Sequence, residues 1–198
     1  MSDEFKFRTI IKTERLLLSP ISLTDADDTF HIRSFREIYQ WTIAGQWTLK
    51  SQATEWITTN LANPSSYNFS ITLLPTDLSD ATEKPLVIGS IGSARGEEIG
   101  YMFHPDYWGR GYATEALIGF IKTYFEKLPH AEFLLAKTDV SNKASRRVLE
   151  KVGFVHIEDE IFENPTLGPS PAIVYEIRRP KREEESTTKS NSDSRVYT

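Results

Sequence analysis

Between Trp108 and Thr114 the chain reads Trp-Gly-Arg-Gly-Tyr-Ala-Thr, two glycines and an arginine directly before a helix-forming run. Residues of these types at this spacing are suited to holding an anion. The first-turn N–H groups of a helix have no intrahelical partner, and the helix dipole adds partial positive charge at that end. Together they bind anions, phosphates especially. Glycines at 109 and 111 let the backbone approach a ligand with no Cβ in the way. Arg110 can add a full charge beside it. A P-loop would need Lys-Ser/Thr after its last glycine, where this chain has Tyr112-Ala113-Thr114. A dinucleotide fingerprint would need G-x-G-x-x-G near the first strand with an acidic residue about 20 positions on. Neither spacing is present.

The elements that must hold this turn follow from periodicity. Glu98–His104 alternates as a strand and delivers the chain to the turn, and Arg95-Gly96-Glu97 joins it in a hairpin to a strand over 86–94. Beyond the turn, Ala113, Ala116, Leu117, Phe120, Ile121, Tyr124 and Leu128 recur at helical spacing from Gly111 or Tyr112 onward. Upstream, residues 15–20 read as a strand, and Thr24 as the N-cap of a helix reaching about Tyr39, with Asp25, Asp27 and Asp28 in its first turn. Ser51 caps a second helix whose Ala53, Trp56, Ile57 and Leu61 share a face, and a strand over 67–74 follows. Downstream come a strand over 133–137 and a helix over 142–152, its apolar face Ala144, Val148, Leu149 and Val152 and its C′ residue Gly153. Strands over 154–157 and 172–177 finish the pattern. The order implies an α+β (mixed α/β) domain around one central sheet. The domain runs over 13–180, after an N-terminal segment 1–12. Residues 75–85 read as a long polar loop and 181–198 as a disordered polar tail.

Composition narrows the function classes. A chain of 198 residues, 39% hydrophobic and 26% charged, is long enough for one sizeable core. Its net charge of −5 argues against a nucleic-acid surface as the main function. There is no cysteine, which excludes disulfides, thiolate zinc sites and an acyl-cysteine route. No stretch approaches the run of about 18 apolar residues of a membrane span. The first residues carry neither an apolar targeting core nor an arginine-rich amphipathic pattern. A cytoplasmic or nucleocytoplasmic address, with no membrane and no nucleic acid as partner, is the default expectation.

Glu98-Ile99-Gly100-Tyr101 and the stretch from Tyr107 to Ala116 together resemble the acetyl-CoA signature of the GNAT superfamily of N-acetyltransferases. Its pyrophosphate loop, Gln/Arg-x-x-Gly-x-Gly/Ala, is matched by Trp108-x-x-Gly111-x-Ala113, with Trp in the first place. Asn142-x-x-Ser145-x-Arg147-x-Leu149-Glu150-x-x-Gly153-Phe154 and the opening Thr13-Glu14-Arg15-Leu16-x-Leu18 resemble the branch that includes the ribosomal-protein alanine N-acetyltransferases. The resemblance spans roughly residues 13 to 178. It implies a central mixed sheet of about seven strands flanked by about four helices. It further implies acetyl-CoA as co-substrate, no metal, and direct transfer of acetyl to a primary amine in a ternary complex.

On that resemblance, the cofactor contacts are Trp108, Gly109, Arg110, Gly111, Tyr112, Ala113 and Thr114 at the pyrophosphate. Met102, Phe103 and His104 supply the backbone oxyanion donor and the edge for the pantetheine arm. Asn142 reaches the pantetheine amides and Ser145 serves as acid to the sulfur. Asn142 is also a sufficient N-cap, and Ser145 could merely satisfy a backbone group. Glu98 is the first choice of base, with a solvated carboxylate the competing reading; His104 and Asp139 are the others. Glu115 is explained by the helix dipole alone. Trp41 and Trp47, flanking Gly45, are candidates to line the acceptor site. The acceptor is a small-molecule amine or a protein N-terminal amine, the assembly a monomer or homodimer. The rival reading is a catalytically inactive acyl-CoA-binding regulatory module.

Overall fold

The computed structural model describes residues 9–74 and 85–180; the expected loop over 75–85, but for Pro85, and the tail over 181–198 lie outside them. Among the described residues eight strands form one sheet: β1 Ile11–Lys12, β2 Leu16–Pro20, β3 Tyr67–Leu73, β4 Val87–Arg95, β5 Glu98–Phe103, β6 Phe133–Asp139, β7 Val155–Asn164 and β8 Gly168–Arg178. Five helices accompany them: α1 Ala26–Ser34, α2 Arg36–Tyr39, α3 Lys50–Ala62, α4 Tyr112–Lys127 and α5 Lys143–Val152. The sheet order is β1-β2-β3-β4-β5-β6-β8-β7. The mixed α/β class holds, with one strand and one helix more than the resemblance implied.

Every neighbouring pair is antiparallel except β5 with β6, which are parallel and share a single register pair, Glu98 with Leu135. Beyond that pair the strands diverge, because β6 is held along its length by β8, from Phe133↔Arg178 to Asp139↔Ala172. The sheet therefore opens into a gap toward the C-terminal ends of β5 and β6.

Side-chain alternation assigns the two faces. One face buries Leu16, Leu18, Phe69, Ile71, Ile91, Ile99, Phe103 and Leu134 against Ala116, Leu117 and Phe120 of α4 and Leu149 of α5. The other packs Met102 against Ile32, Ile38 and Val87, so α1 and α2 cover it. Buried polar anchors attach the helices on this second face. Asp25 accepts from the Ser22 N–H at 2.9 Å and from Ser70 Oγ at 2.7 Å. Asn60 accepts from Ser66 Oγ and Asn68 Nδ2.

Several boundaries move, each for a local reason. Helix entry at residue 24 is a short 3₁₀ turn, Leu23–Asp25, tied by Asp25 reaching back to Ser22 rather than by Thr24 capping. The expected helix to Tyr39 breaks at Phe35, whose ψ of 131° is extended. In α3, Gln52 Oε1 accepts the Thr48 and Leu49 N–H groups, starting the helix one residue ahead of Ser51. Leu61 is 44% exposed, and the buried position is Asn60. Ala144 is exposed on α5. The final hairpin is far longer than expected, with ten residues in β7 and eleven in β8. Its tip is anchored: Asn164 Oδ1 accepts from the Thr166 and Leu167 N–H groups, and Asn164 Nδ2 donates to the Gln40 carbonyl at 2.9 Å.

Candidate active site

Gly109 and Gly111 have φ of 72° and 81°, the left-handed region open to glycine, and Gly111 is the N-cap of α4. The first intrahelical bond runs from the Glu115 N–H to the Gly111 carbonyl at 3.1 Å. No side chain caps this end, so the Tyr112, Ala113 and Thr114 N–H groups point out of the helix together. The cradle is braced from the N-terminus of the chain. Arg15 Nη1 donates to the Arg110 carbonyl at 3.0 Å, and Arg15 Nε and main-chain N–H each donate to Glu115 at 2.7 Å. Thr13 Oγ1 donates to the same carboxylate at 2.6 Å. Burial alone would raise the Glu115 carboxyl pKa, but the hydrogen bonds from Thr13 and Arg15 outweigh it and hold the group below the ordinary carboxylate range. Glu115 thus braces the loop, a role beyond the dipole explanation, and the spacing Thr13-x-Arg15 was the available signal.

The backbone of β5 sorts its hydrogen bonds by parity. The His104 N–H donates to Ile88 of β4, whereas Glu97 O accepts from Leu135 of β6. Even-numbered positions therefore face β4, and the Tyr101 and Phe103 N–H groups face the gap. Of Met102, Phe103 and His104, only Phe103 offers its N–H there. Its carbonyl accepts from Trp108 Nε1 at 2.7 Å, which makes Trp108 a brace at the mouth of the gap.

Across the gap, Tyr101 Oη lies 2.9 Å from Ser145 Oγ and 3.2 Å from the Ser145 carbonyl. Burial pushes the Tyr101 phenol up to about 12, with the Ser145 hydrogen bond opposing. Asn142 Oδ1 accepts the Ser145 N–H at 3.1 Å as the N-cap of α5, and its amide N–H₂ has no partner among the described residues. Tyr101 carried no assigned role in the sequence, because an aromatic in an alternating strand reads as core.

On the opposite face stand Glu98, half-buried at the closed end of the gap, then Gly100, Met102 and His104. His104 Nδ1 accepts from the Asp106 N–H at 3.2 Å, so a neutral His104 carries its proton on Nε2, 3.4 Å from His31 Nε2. Asp139 Oδ1 accepts from Ser141 N and Oγ, closing the turn before α5, which accounts for that carboxylate structurally. Trp47 is 5% exposed, packed beside Trp56 with the Arg33 guanidinium 4.4 Å over its ring. Its ring belongs to the core, and Trp41, half-buried, is the one of the pair left toward the surface. Among the described residues no three His, Cys, Asp or Glu side chains group to hold a metal, and no helix is long and apolar enough to cross a membrane.

Residues 15–155 match the family model described as Acetyltransferase (GNAT) domain. A Bacillus subtilis protein, YkkB, is 34% identical over 134 residues, covering 64% of this chain and 72% of its own. The FsC-acetyl coenzyme A-N(2)-transacetylase of Aspergillus fumigatus is 37% identical over 76 residues, 38% of this chain and 31% of that protein. In fold, the chain is similar to a GNAT-family acetyltransferase from Bacillus anthracis, with a TM-score of 0.71 at 24% identity over 86% of this chain and 98% of that one.

Proposed function

The chain belongs to the GNAT acetyltransferase family, and on that premise we propose that it moves an acetyl group from acetyl-CoA directly to a primary amine, with no acyl-enzyme. The observation that carries this reading is the one-pair junction of β5 and β6, which opens a gap lined by the Phe103 N–H between the α4 cradle and the Tyr101–Ser145 pair. The cradle fits a diphosphate: three convergent N–H groups, two left-handed glycines and, at Gly109, nothing within 4 Å of where a Cβ would stand. Arg110 adds charge at its rim, and the free amide of Asn142 suits an amide carbonyl of the pantetheine arm. Acetyl-CoA supplies a thioester, an acyl group with a good leaving thiol.

Each remaining role falls to this chain's own groups. Glu98, on the α1 face, takes one proton from the acceptor ammonium, through water where contact is not direct, since an alkylammonium has a pKa near 10.4. The Phe103 N–H receives the negative charge that develops on the acetyl oxygen as the C–N bond forms. Ser145 Oγ–H gives one proton to sulfur as the C–S bond breaks and regains one from the amine nitrogen, which sheds its second proton as the amide forms, with Tyr101 holding the hydroxyl in place. The absence of cysteine supports direct transfer. The acceptor is a small-molecule amine or a protein N-terminal amine; the fungal relative's name, specifying an N(2) position, supports an amine. Thermal shift with acetyl-CoA, CoA and ATP tests the donor, and thiol release across an amine panel tests the transfer. Stabilisation by acetyl-CoA and CoA is expected; stabilisation by ATP alone overturns the reading.

A further inference from the structure

The β5 face turned toward α1 carries Glu98, Gly100 and Met102 at successive same-side positions. Gly100 lies opposite Gly92 of β4, and the two glycines are there for different reasons. A Cβ on Gly92 would collide with the Tyr67 carbonyl and with Asn68, so the close approach of β3 demands glycine. A Cβ on Gly100 would meet nothing within 4 Å. Its φ is not positive, and the residue is exposed. Glycine inside a strand weakens it, and often marks where a ligand comes close. Nothing in the packing of the described residues calls for it here.

We propose that Gly100 keeps the acceptor-side wall of the gap bare, so that the acceptor lies flat on β5 between the Glu98 carboxylate and Met102. The bare stretch is one residue wide, and same-side positions recur about every 7 Å along a strand. That shape selects a primary ammonium on an extended, unbranched chain. The inference rests on the acetyltransferase reading and assigns to Gly100 the choice of acceptor, with no part in holding the donor, whose contacts lie on the α4–α5 face.

The test is calorimetry on wild type, Gly100→Ala and Gly100→Val. The two probes are acetyl-CoA and a CoA conjugate whose sulfur carries –CH₂–CO–NH–butyl, which must cross the gap onto the α1 face. Valine is a good strand former, and unchanged acetyl-CoA affinity certifies the folded variant. Acetyl-CoA should bind all three proteins within twofold, while the conjugate binds the Val variant at least tenfold more weakly than wild type, with Ala between. Equal conjugate affinity in wild type and Val variant overturns the inference, as does parallel loss of both probes or failure of wild type to accept the conjugate. Failure of wild type to bind acetyl-CoA instead sinks the acetyltransferase reading itself.

Discussion

The two sides of the β5–β6 gap are built in opposite ways. On the α4–α5 side the proposed binding groups are mostly main-chain N–H groups, presented by two left-handed glycines and a helix start, and braced by Thr13, Arg15 and Glu115. On the α1 side they are side chains and an absence of one: Glu98, His104 with His31, Met102, and the bare Gly100. The difference teaches where variation is tolerated. A site made of backbone stays intact while its side chains change, so it suits a donor shared across a family. A site made of side chains changes with each substitution, so it suits an acceptor particular to one protein.

The largest effect that could break this contrast is expected at Gly111. Valine there must adopt φ near 81°, a strained backbone for a β-branched residue, while its Cβ would stand in ordinary contact 3.5 Å from Arg15 Nη2. Strain of about 1–3 kcal/mol falls on the loop, so acetyl-CoA affinity should drop roughly 10- to 100-fold by calorimetry. Affinity retained within threefold would mean the cradle is not backbone-made.

Next comes Glu115→Ala, which removes the acceptor of three bonds from residues 13 and 15. A loss of about 2 kcal/mol, or roughly 6 °C in melting temperature, is expected. The pH dependence has a definite sign. A carboxyl held below its unfolded value near 4.3 stabilises the fold above that pH, and the contribution fades as pH falls through the lower folded value. The melting difference between wild type and Glu115→Gln should therefore be full at neutral pH and shrink under acid. A difference that grows on acidification would show the brace is not ionic.

The smallest effect sharpens the chemistry. Tyr101→Phe removes one hydrogen bond to Ser145, worth about 1 kcal/mol, so kcat should fall roughly fivefold while KM for acetyl-CoA stays put. A change in KM with kcat untouched would make Tyr101 a binding group.

The same contrast explains what could be read in the residues beforehand. The strand–turn–helix over 98–128 was legible because alternation, positive-φ glycines and the 3.6-residue period are local signals. The gap was not, since β5 and β6 part only because β8, decades of residues later in the chain, pairs along β6. The break at Phe35 had no Gly or Pro to announce it. The length of β7 was hidden by Glu158-Asp159-Glu160, a run that looks like a loop but lies on an edge strand, where Glu158 and Asp159 stay exposed and Glu160 pairs with Lys137. Trp47 looked like a pocket residue because nothing local ties it to Arg33 and Trp56. Among the candidate site residues, Gly109 and Gly111 open α4 and Asn142 caps α5 as the motifs suggested, while Trp47 is buried against Arg33 and Trp56.

The bond from Asn164 to the Gln40 carbonyl joins residues 124 apart in sequence. On the ribosome the chain emerges N-terminus first. Thr13 and Arg15 can find Glu115 and Arg110 once residue 115 of the 198 has emerged, so the brace of the turn over 109–111 can form early. The segment after α2 stays without its clasp until the tip of the last hairpin emerges. Formation of the two contacts is thereby ordered in time: the brace over residues 13–115 can close early, and the clasp between residues 40 and 164 closes only in the last stretch of synthesis.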